Sequence, residues 1–193
     1  MTDLLLIVVA AATVNNFVLV RLLGLCPLLG ASQKLGDVVD LSLATTSVLT
    51  LTAGCTWLLD RWVLVPFGLP YLRIVAFILV IAGMVPFGQW VLRKQSAELH
   101  AKLEPHVSLI ATNCTVLGVA LLNAGTTHGL AGALALGLGA GLGFSLVLIL
   151  FAGLREQLGQ ASVPAALRGP GITLLTLGML SLAFLGFSGI ARL

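Results

Sequence analysis

Charge is scarce in this chain: ten Lys and Arg and seven Asp and Glu among 193 residues. A soluble domain carries charge on about a quarter of its residues. With 59% of residues hydrophobic and a mean hydropathy of +1.11, the apolar surface is too large to hide from water, so lipid is the expected solvent. The basic residues do not gather. They stand singly in short hydrophilic gaps, without the interleaved aromatics of a nucleic-acid patch, and the net charge of +3 is better read as topology information.

Cysteine is scarce too. Cys26, Cys55 and Cys114 are an odd number in a chain with almost no extramembrane mass, which argues against a disulfide framework and leaves reduced thiols or metal thiolates. No basic region precedes the first apolar stretch, where Asp3 comes before Leu4, and no small-x-small cleavage site follows it. A retained first helix is expected rather than a cleaved signal. No Gly-rich phosphate loop or dinucleotide fingerprint lies between a strand and a helix, so no nucleotide site is expected.

What the chain does have is a series of apolar runs long enough to cross a hydrocarbon core. They fall at about Leu4–Leu25, Val38–Leu59, Leu72–Leu92, Val107–Ala124, Gly129–Leu154 and Gly171–Ile190. Asn15, Asn16 and Arg21 interrupt the first, Asp60 and Arg61 mark a tight turn after the second, and Pro66, Gly68 and Pro70 lead into the third. The expected fold is all-α, a polytopic membrane protein of six transmembrane helices. Lys34, Arg93, Lys94, Lys102, Arg155 and Arg168 fall in the first, third and fifth loops; Arg61, Arg192 and Arg73 fall on the other side. Basic residues accumulate in cytoplasmic loops, which places both termini in the periplasm.

The fifth run contains Gly137, Gly139, Gly141 and Gly143, overlapping small-xxx-small patterns that let helices approach backbone to backbone. Tight packing is the expected use; a hinge is the alternative.

Cys26 and Cys114 belong to a short repeat. Cys26-Pro27-Leu28-Leu29-Gly30 and Cys114-Thr115-Val116-Leu117-Gly118 share Cys-x-x-Leu-Gly, at or near the first helix of each three-helix half. An odd number of helices per half makes the halves enter the membrane from opposite faces, as two inverted repeats in one membrane domain, about 1–92 and 107–193. Equivalent residues then converge on a pseudo-two-fold axis. Pro27 predicts a broken helix beside Cys26, and nearby glycines leave room for a bulky cofactor. Cys55 has no counterpart and is assigned to packing.

Thiolates hold zinc or iron–sulfur clusters, and a 2Fe-2S cluster takes four of them. Two from this chain require two from another, most simply from a homologous chain. Structural zinc has the same stoichiometry but gives no reason for burial in a bilayer.

Other polar residues carry paired readings. Arg21 either snorkels to the cytoplasmic interface or points toward the metal site, where its charge would raise the potential. Asn15, Asn16, Asn113 and Asn123 are expected to face protein as helix glue, and Asn113 also to donate to a cluster sulfur. Asp37 and Asp40 suit a helix N-terminus, with a cation path as the sharper alternative. His100, His106 and His128 lack ligand spacing and are assigned no role.

Several of these stretches carry a resemblance: Val14-Asn15-Asn16-Phe17-Val18-Leu19-Val20, Gly24-Leu25-Cys26-Pro27, Tyr71-Leu72-Arg73, Thr112-Asn113-Cys114, Leu117-Gly118-Val119-Ala120-Leu121-Leu122-Asn123, Gly143-Phe144-Ser145-Leu146 and the end from Ser181 to Gly189. Over nearly its whole length the chain resembles the family of Rnf A and E and Nqr D and E membrane subunits. Asn-Asn-Phe and Gly-Leu-Cys-Pro favour the Rnf A-type branch. The resemblance implies pairing with an oppositely oriented RnfE-like homologue, alongside the B, C, D and G subunits of an inner-membrane Rnf complex. It also implies a 2Fe-2S cluster shared between the pair, with Cys26 and Cys114 giving iron ligands from this side. The subunit would relay electrons, without catalysis of its own, in a complex that couples NADH and ferredoxin oxidoreduction to Na+ or H+ movement. Two rivals remain: a secondary transporter, since inverted repeats and broken helices also describe carriers, and a scaffold subunit without a cofactor.

Overall fold

The computed structural model describes residues 2–30, 35–68, 70–95, 110–125, 129–160 and 169–190. Lys34, Glu98, His100, Lys102, Glu104, His106, His128, Arg168 and Arg192 lie outside the described residues. Every regular element among those described is helical. In chain order they are α1 (Thr2–Val9), a π-helical turn (Ala10–Val14), α2 (Phe17–Arg21), α3 (Leu25–Gly30), α4 (Leu35–Leu59), a second π turn (Asp60–Leu64), α5 (Val65–Phe67), a 3-10 turn (Pro70–Leu72), α6 (Arg73–Gln95), α7 (Cys114–Ala124), α8 (Leu130–Gln160) and α9 (Pro170–Ile190). Two continuous stretches, Gly36–Phe67 and Leu130–Leu158, are long and apolar enough to cross a bilayer.

Helix α4 contains many hydroxyl residues for a membrane helix. Most of its hydroxyls turn back on their own backbone, buried Thr52 excepted: Thr45 donates to the Leu41 carbonyl at 2.7 Å, Thr50 to Thr46 at 2.8 Å and Thr56 to Thr52 at 2.7 Å. Each such bond spares the apolar interior an unpaired polar group.

Helix α8 is the centre of the fold, and its glycine stripe explains why. Positions two apart on a helix face opposite ways, whereas positions four apart share a face. A Cβ on Gly137 or Gly141 would press on α4, at Ala53 Cβ (2.8 Å) and Thr46 Cγ2 (2.7 Å) respectively. One on Gly139 or Gly143 would press on the first helix, at the Val8 carbonyl oxygen (2.8 Å) and Ala12 Cα (3.0 Å). The stripe is therefore two interleaved packing seams, as expected of tight packing, with α8 held between two neighbours at backbone distance. Farther along, Phe144, Val147, Leu148 and Phe151 form a core with Val18, Leu19, Leu28, Val38, Leu41 and Leu177.

Several boundaries differ from those the sequence predicts. Asp60 and Arg61 do not make a turn; the helix runs on through a π turn to Phe67 and ends at Gly68, whose φ is +63°. Asp60 is buried and paired with Arg73, whose Nε and Nη2 donate to its two oxygens at 2.8 and 3.2 Å. An acid neutralised by a partner need not seek solvent, so it does not mark the end of the span. The fourth run is divided by a break at Thr112–Asn113, before α7. Asn15 is exposed rather than packed inside, whereas Asn16, Asn113 and Asn123 are buried.

Candidate functional site: a cysteine junction between two broken helices

The first apolar run is broken twice, and neither break is at Pro27. Pro27 is the third residue of α3, in the first turn, where a backbone N–H has no intrahelical acceptor and its loss costs nothing. The breaks lie earlier, at Asn15–Asn16 and at Leu22–Gly24. Asn16 caps α2, its Oδ1 accepting from the Val18 N–H at 3.0 Å. At the second break the chain reverses through two left-handed residues, Leu22 at φ +51° and Gly24 at φ +86°. A leucine in that region is strained, and such strain persists only where the surroundings impose it.

Here the surroundings are α7. A Cβ on Gly118 would collide with Leu23 Cδ2, and one on Gly24 would collide with Thr115 Oγ1 and stand 3.1 Å from Phe144 Cε2. The turn lies flat on α7, and its tip delivers a donor: the Gly24 N–H points to Cys114 Sγ, with N and S 2.9 Å apart. Cys114 opens α7 and Cys26 is the second residue of α3, so the turn joins the two cysteine-bearing segments across 90 residues of sequence. Both thiols are exposed on the chain's surface. Cys55, half-buried in α4, is not part of the junction, consistent with a packing role.

The residues on either side of Cys114 are polar and buried. Asn113 caps α7 through Oδ1, which accepts from the Thr115 N–H at 3.0 Å. Asn113 is 3% exposed and Thr115 0% exposed, yet Asn113 Nδ2 and Thr115 Oγ1 have no hydrogen-bond partner among the described residues. Arg21 ends α2 with its side chain exposed. Asp37 lies in the first turn of α4 and Asp40 one turn farther on, where acids favour the helix dipole.

No group of three or more His, Cys, Asp and Glu side chains converges among the described residues, so they do not form a complete metal site within this chain. Half a site fits the donors present. Two surface thiols on adjoining segments, one already receiving a backbone N–H, are of the donor type that holds iron–sulfur clusters. The glycine two residues before Cys26 has a neighbour within the chain itself. Gly24 makes room for Thr115 and Phe144, and its role is to aim an amide at sulfur. Sequence reasoning reads the glycines near Cys26 as room for a cofactor and gives Thr115 no role; the approach of Gly24 to Thr115 is what it misses, and the one signal for it is a glycine two positions before a cysteine.

Residues 4–191 match the family described as "Rnf-Nqr subunit, membrane protein". The chain is 53% identical over its full length, and the relative's full length, to the A subunit of the ion-translocating oxidoreductase complex of Shigella flexneri serotype 5b. It is 52% identical, again over the whole of both chains, to the proteins of the same description from Escherichia fergusonii and Escherichia coli strain K12. On the extent of these matches, the chain belongs to the Rnf-Nqr family of membrane-protein subunits.

Proposed function

We propose that this chain is the A-type membrane subunit of an ion-translocating oxidoreductase complex, and that it contributes Cys26 and Cys114 to a 2Fe-2S cluster shared with an RnfE-like homologous subunit. The single observation that carries the reading is the Gly24 N–H···Sγ Cys114 contact at 2.9 Å, which brings the two cysteine segments together on an exposed surface. Full-length identity of about half to subunits of that description supports the complex. When bound, such a cluster supplies a one-electron relay site. The chain's own residues present the two exposed thiols to a partner and donate to sulfur from Gly24.

Six transmembrane helices in two inverted three-helix repeats, 1–92 and 107–193 within one membrane domain, is the topology we favour. Each half opens with a broken helix bearing a cysteine in the first turn of a later segment, then a long helix (α4 or α8) and a last helix (α6 or α9). The two long helices pack on each other, an arrangement open to helices related by a pseudo-two-fold axis in the membrane plane. Helix α6 supports a spanning orientation: exposed Tyr71 precedes it and exposed Trp90 lies near its far end. They are separated by roughly 28 Å at 1.5 Å per residue, close to the hydrocarbon thickness. Lys94 stands 5.0 Å over the Trp90 ring, as a basic interface residue does. We assign the chain to the bacterial inner membrane with both termini periplasmic, the remaining Rnf subunits completing the complex.

The test is iron analysis and electron paramagnetic resonance of the complex, reduced with dithionite. Cys26→Ser and Cys114→Ser are expected to lose the signal and the iron, and Cys55→Ser to keep both. A spectrum unchanged in either of the first two variants would remove the physical basis of the electron-relay reading and favour a carrier or a scaffold.

A further inference from the structure

Two helix breaks in this chain are capped by asparagine, and the two caps differ in one respect. Both use Oδ1 to accept from the amide two residues on, Asn16 from Val18 and Asn113 from Thr115, each at 3.0 Å. Asn16 also satisfies its Nδ2, which donates to the carbonyls of Ala12 at 3.0 Å and Gly143 at 2.9 Å. Asn113 Nδ2 is equally buried and has no partner among the described residues; neither has Thr115 Oγ1, two positions along. A buried donor without an acceptor is costly, and native interiors contain few. Both belong to the residues flanking Cys114; a Cβ on Gly24 would meet the orphan Thr115 Oγ1, whereas Asn113 turns its capping Oδ1 to that position, 3.4 Å away.

A hydroxyl in a helix ordinarily bonds the carbonyl four residues back, as Thr45, Thr46, Thr50 and Thr56 all do here. Thr115 cannot do so in the usual way, because the residue four back lies before the break at Thr112–Asn113. The fold thus withholds the local acceptor from one donor and the long-range acceptor from the other, beside the Cys114 thiol at which a backbone amide already points.

Resting on the cluster reading above, we infer that Asn113 and Thr115 are hydrogen-bond donors to the sulfur of the metal centre, supplementing Gly24. A neutral thiol is a weak acceptor; a metal-bound thiolate or sulfide is a strong one, so these donors gain their partners when the metal is present. Donors to sulfur favour the more negative, reduced form and set the potential upward.

Substitutions exist that isolate the donors from the caps. Asn113→Ser keeps an oxygen to cap α7 and removes Nδ2; Thr115→Val keeps the branched shape and removes the hydroxyl. Asn16→Ser serves as the control at the satisfied cap. In the loaded complex, a reductive titration followed by electron paramagnetic resonance is expected to show a more negative midpoint for Asn113→Ser and for Thr115→Val, with iron content retained, and no shift for Asn16→Ser. In the metal-stripped complex the sign differs: Thr115→Val is expected to raise the thermal unfolding midpoint, because it removes an unpaired buried hydroxyl. A merely structural threonine would lower it. Unchanged midpoint potentials in variants that retain iron would overturn the inference and leave the cluster reading intact, as would a lowered unfolding midpoint for metal-stripped Thr115→Val. Failure of the cluster reading itself appears earlier and separately, as an unsubstituted complex without iron or a Cys26→Ser complex with its signal unchanged. Should Asn113→Ser not accumulate, the two Thr115→Val measurements decide.

Discussion

Asn16 holds Gly143 from across the fold: its Nδ2 donates to the Gly143 carbonyl at 2.9 Å, joining residues 127 apart in sequence. The same side chain caps α2 and bonds back to Ala12, so one buried amide closes the break in the first helix and pins it to α8. Gly143 permits this, since a Cβ there would stand 3.0 Å from Asn16 Nδ2.

Asn16→Leu is therefore expected to lower stability by about 2–3 kcal/mol, the sum of a lost cap and a buried hydrogen bond. Asn16→Ser, which retains a capping oxygen, is expected to cost about half as much. Unfolding in mixed detergent micelles measures both.

The two glycine seams give opposite outcomes from similar substitutions elsewhere on the same helix. Gly139→Val and Gly141→Val force α8 away from α1 and α4, respectively, and are expected to destabilise by about 1–3 kcal/mol or more. Gly153, also in α8, has nothing within 4 Å of where a methyl carbon would stand, so Gly153→Ala is expected to be neutral or stabilising by up to about 1 kcal/mol. Thermal unfolding of the purified complex distinguishes them.

At Gly24 strain and collision act together. Gly24→Ala places a methyl group on Thr115 Oγ1 at a φ of +86° and is expected to reduce the iron recovered with the complex. Adding Thr115→Ala relieves the collision but not the backbone conformation, so partial recovery of iron is the expected result. Complete recovery would show that φ does not matter here.

The Asp60–Arg73 pair ties the end of the α4 span to the start of α6. Its side chains are 11% and 31% exposed, so removing one partner leaves a partly desolvated charge. Asp60→Asn or Arg73→Gln alone is expected to cost about 1–3 kcal/mol, and the double variant less than the sum. A double-mutant cycle on unfolding midpoints reads the coupling.

Helix identity was largely legible in the chain. The runs expected at Gly129–Leu154 and Gly171–Ile190 correspond to α8 and α9, because a backbone in lipid must satisfy its hydrogen bonds within the segment, and an apolar run has few other solutions. Asp60 and Pro27 misled for the same reason. A buried acid depends on an arginine 13 residues away, and a proline's effect depends on where in the helix it falls, and neither is a property of the residue itself.

The amino-acid sequence alone determined that this is a helical membrane chain, that Cys26 and Cys114 sit in related motifs, and that α8 carries small residues for close packing. Only the tertiary structure decided that alternate glycines serve different neighbours, that the Leu22–Gly24 turn rests on α7, and that Asn16 is satisfied where Asn113 is not. The reason is that lipid-facing and protein-facing positions are equally apolar, so hydropathy fixes which segments are buried in the bilayer without saying which segments meet. Contacts across 90 or 127 residues come from how the helices pack together.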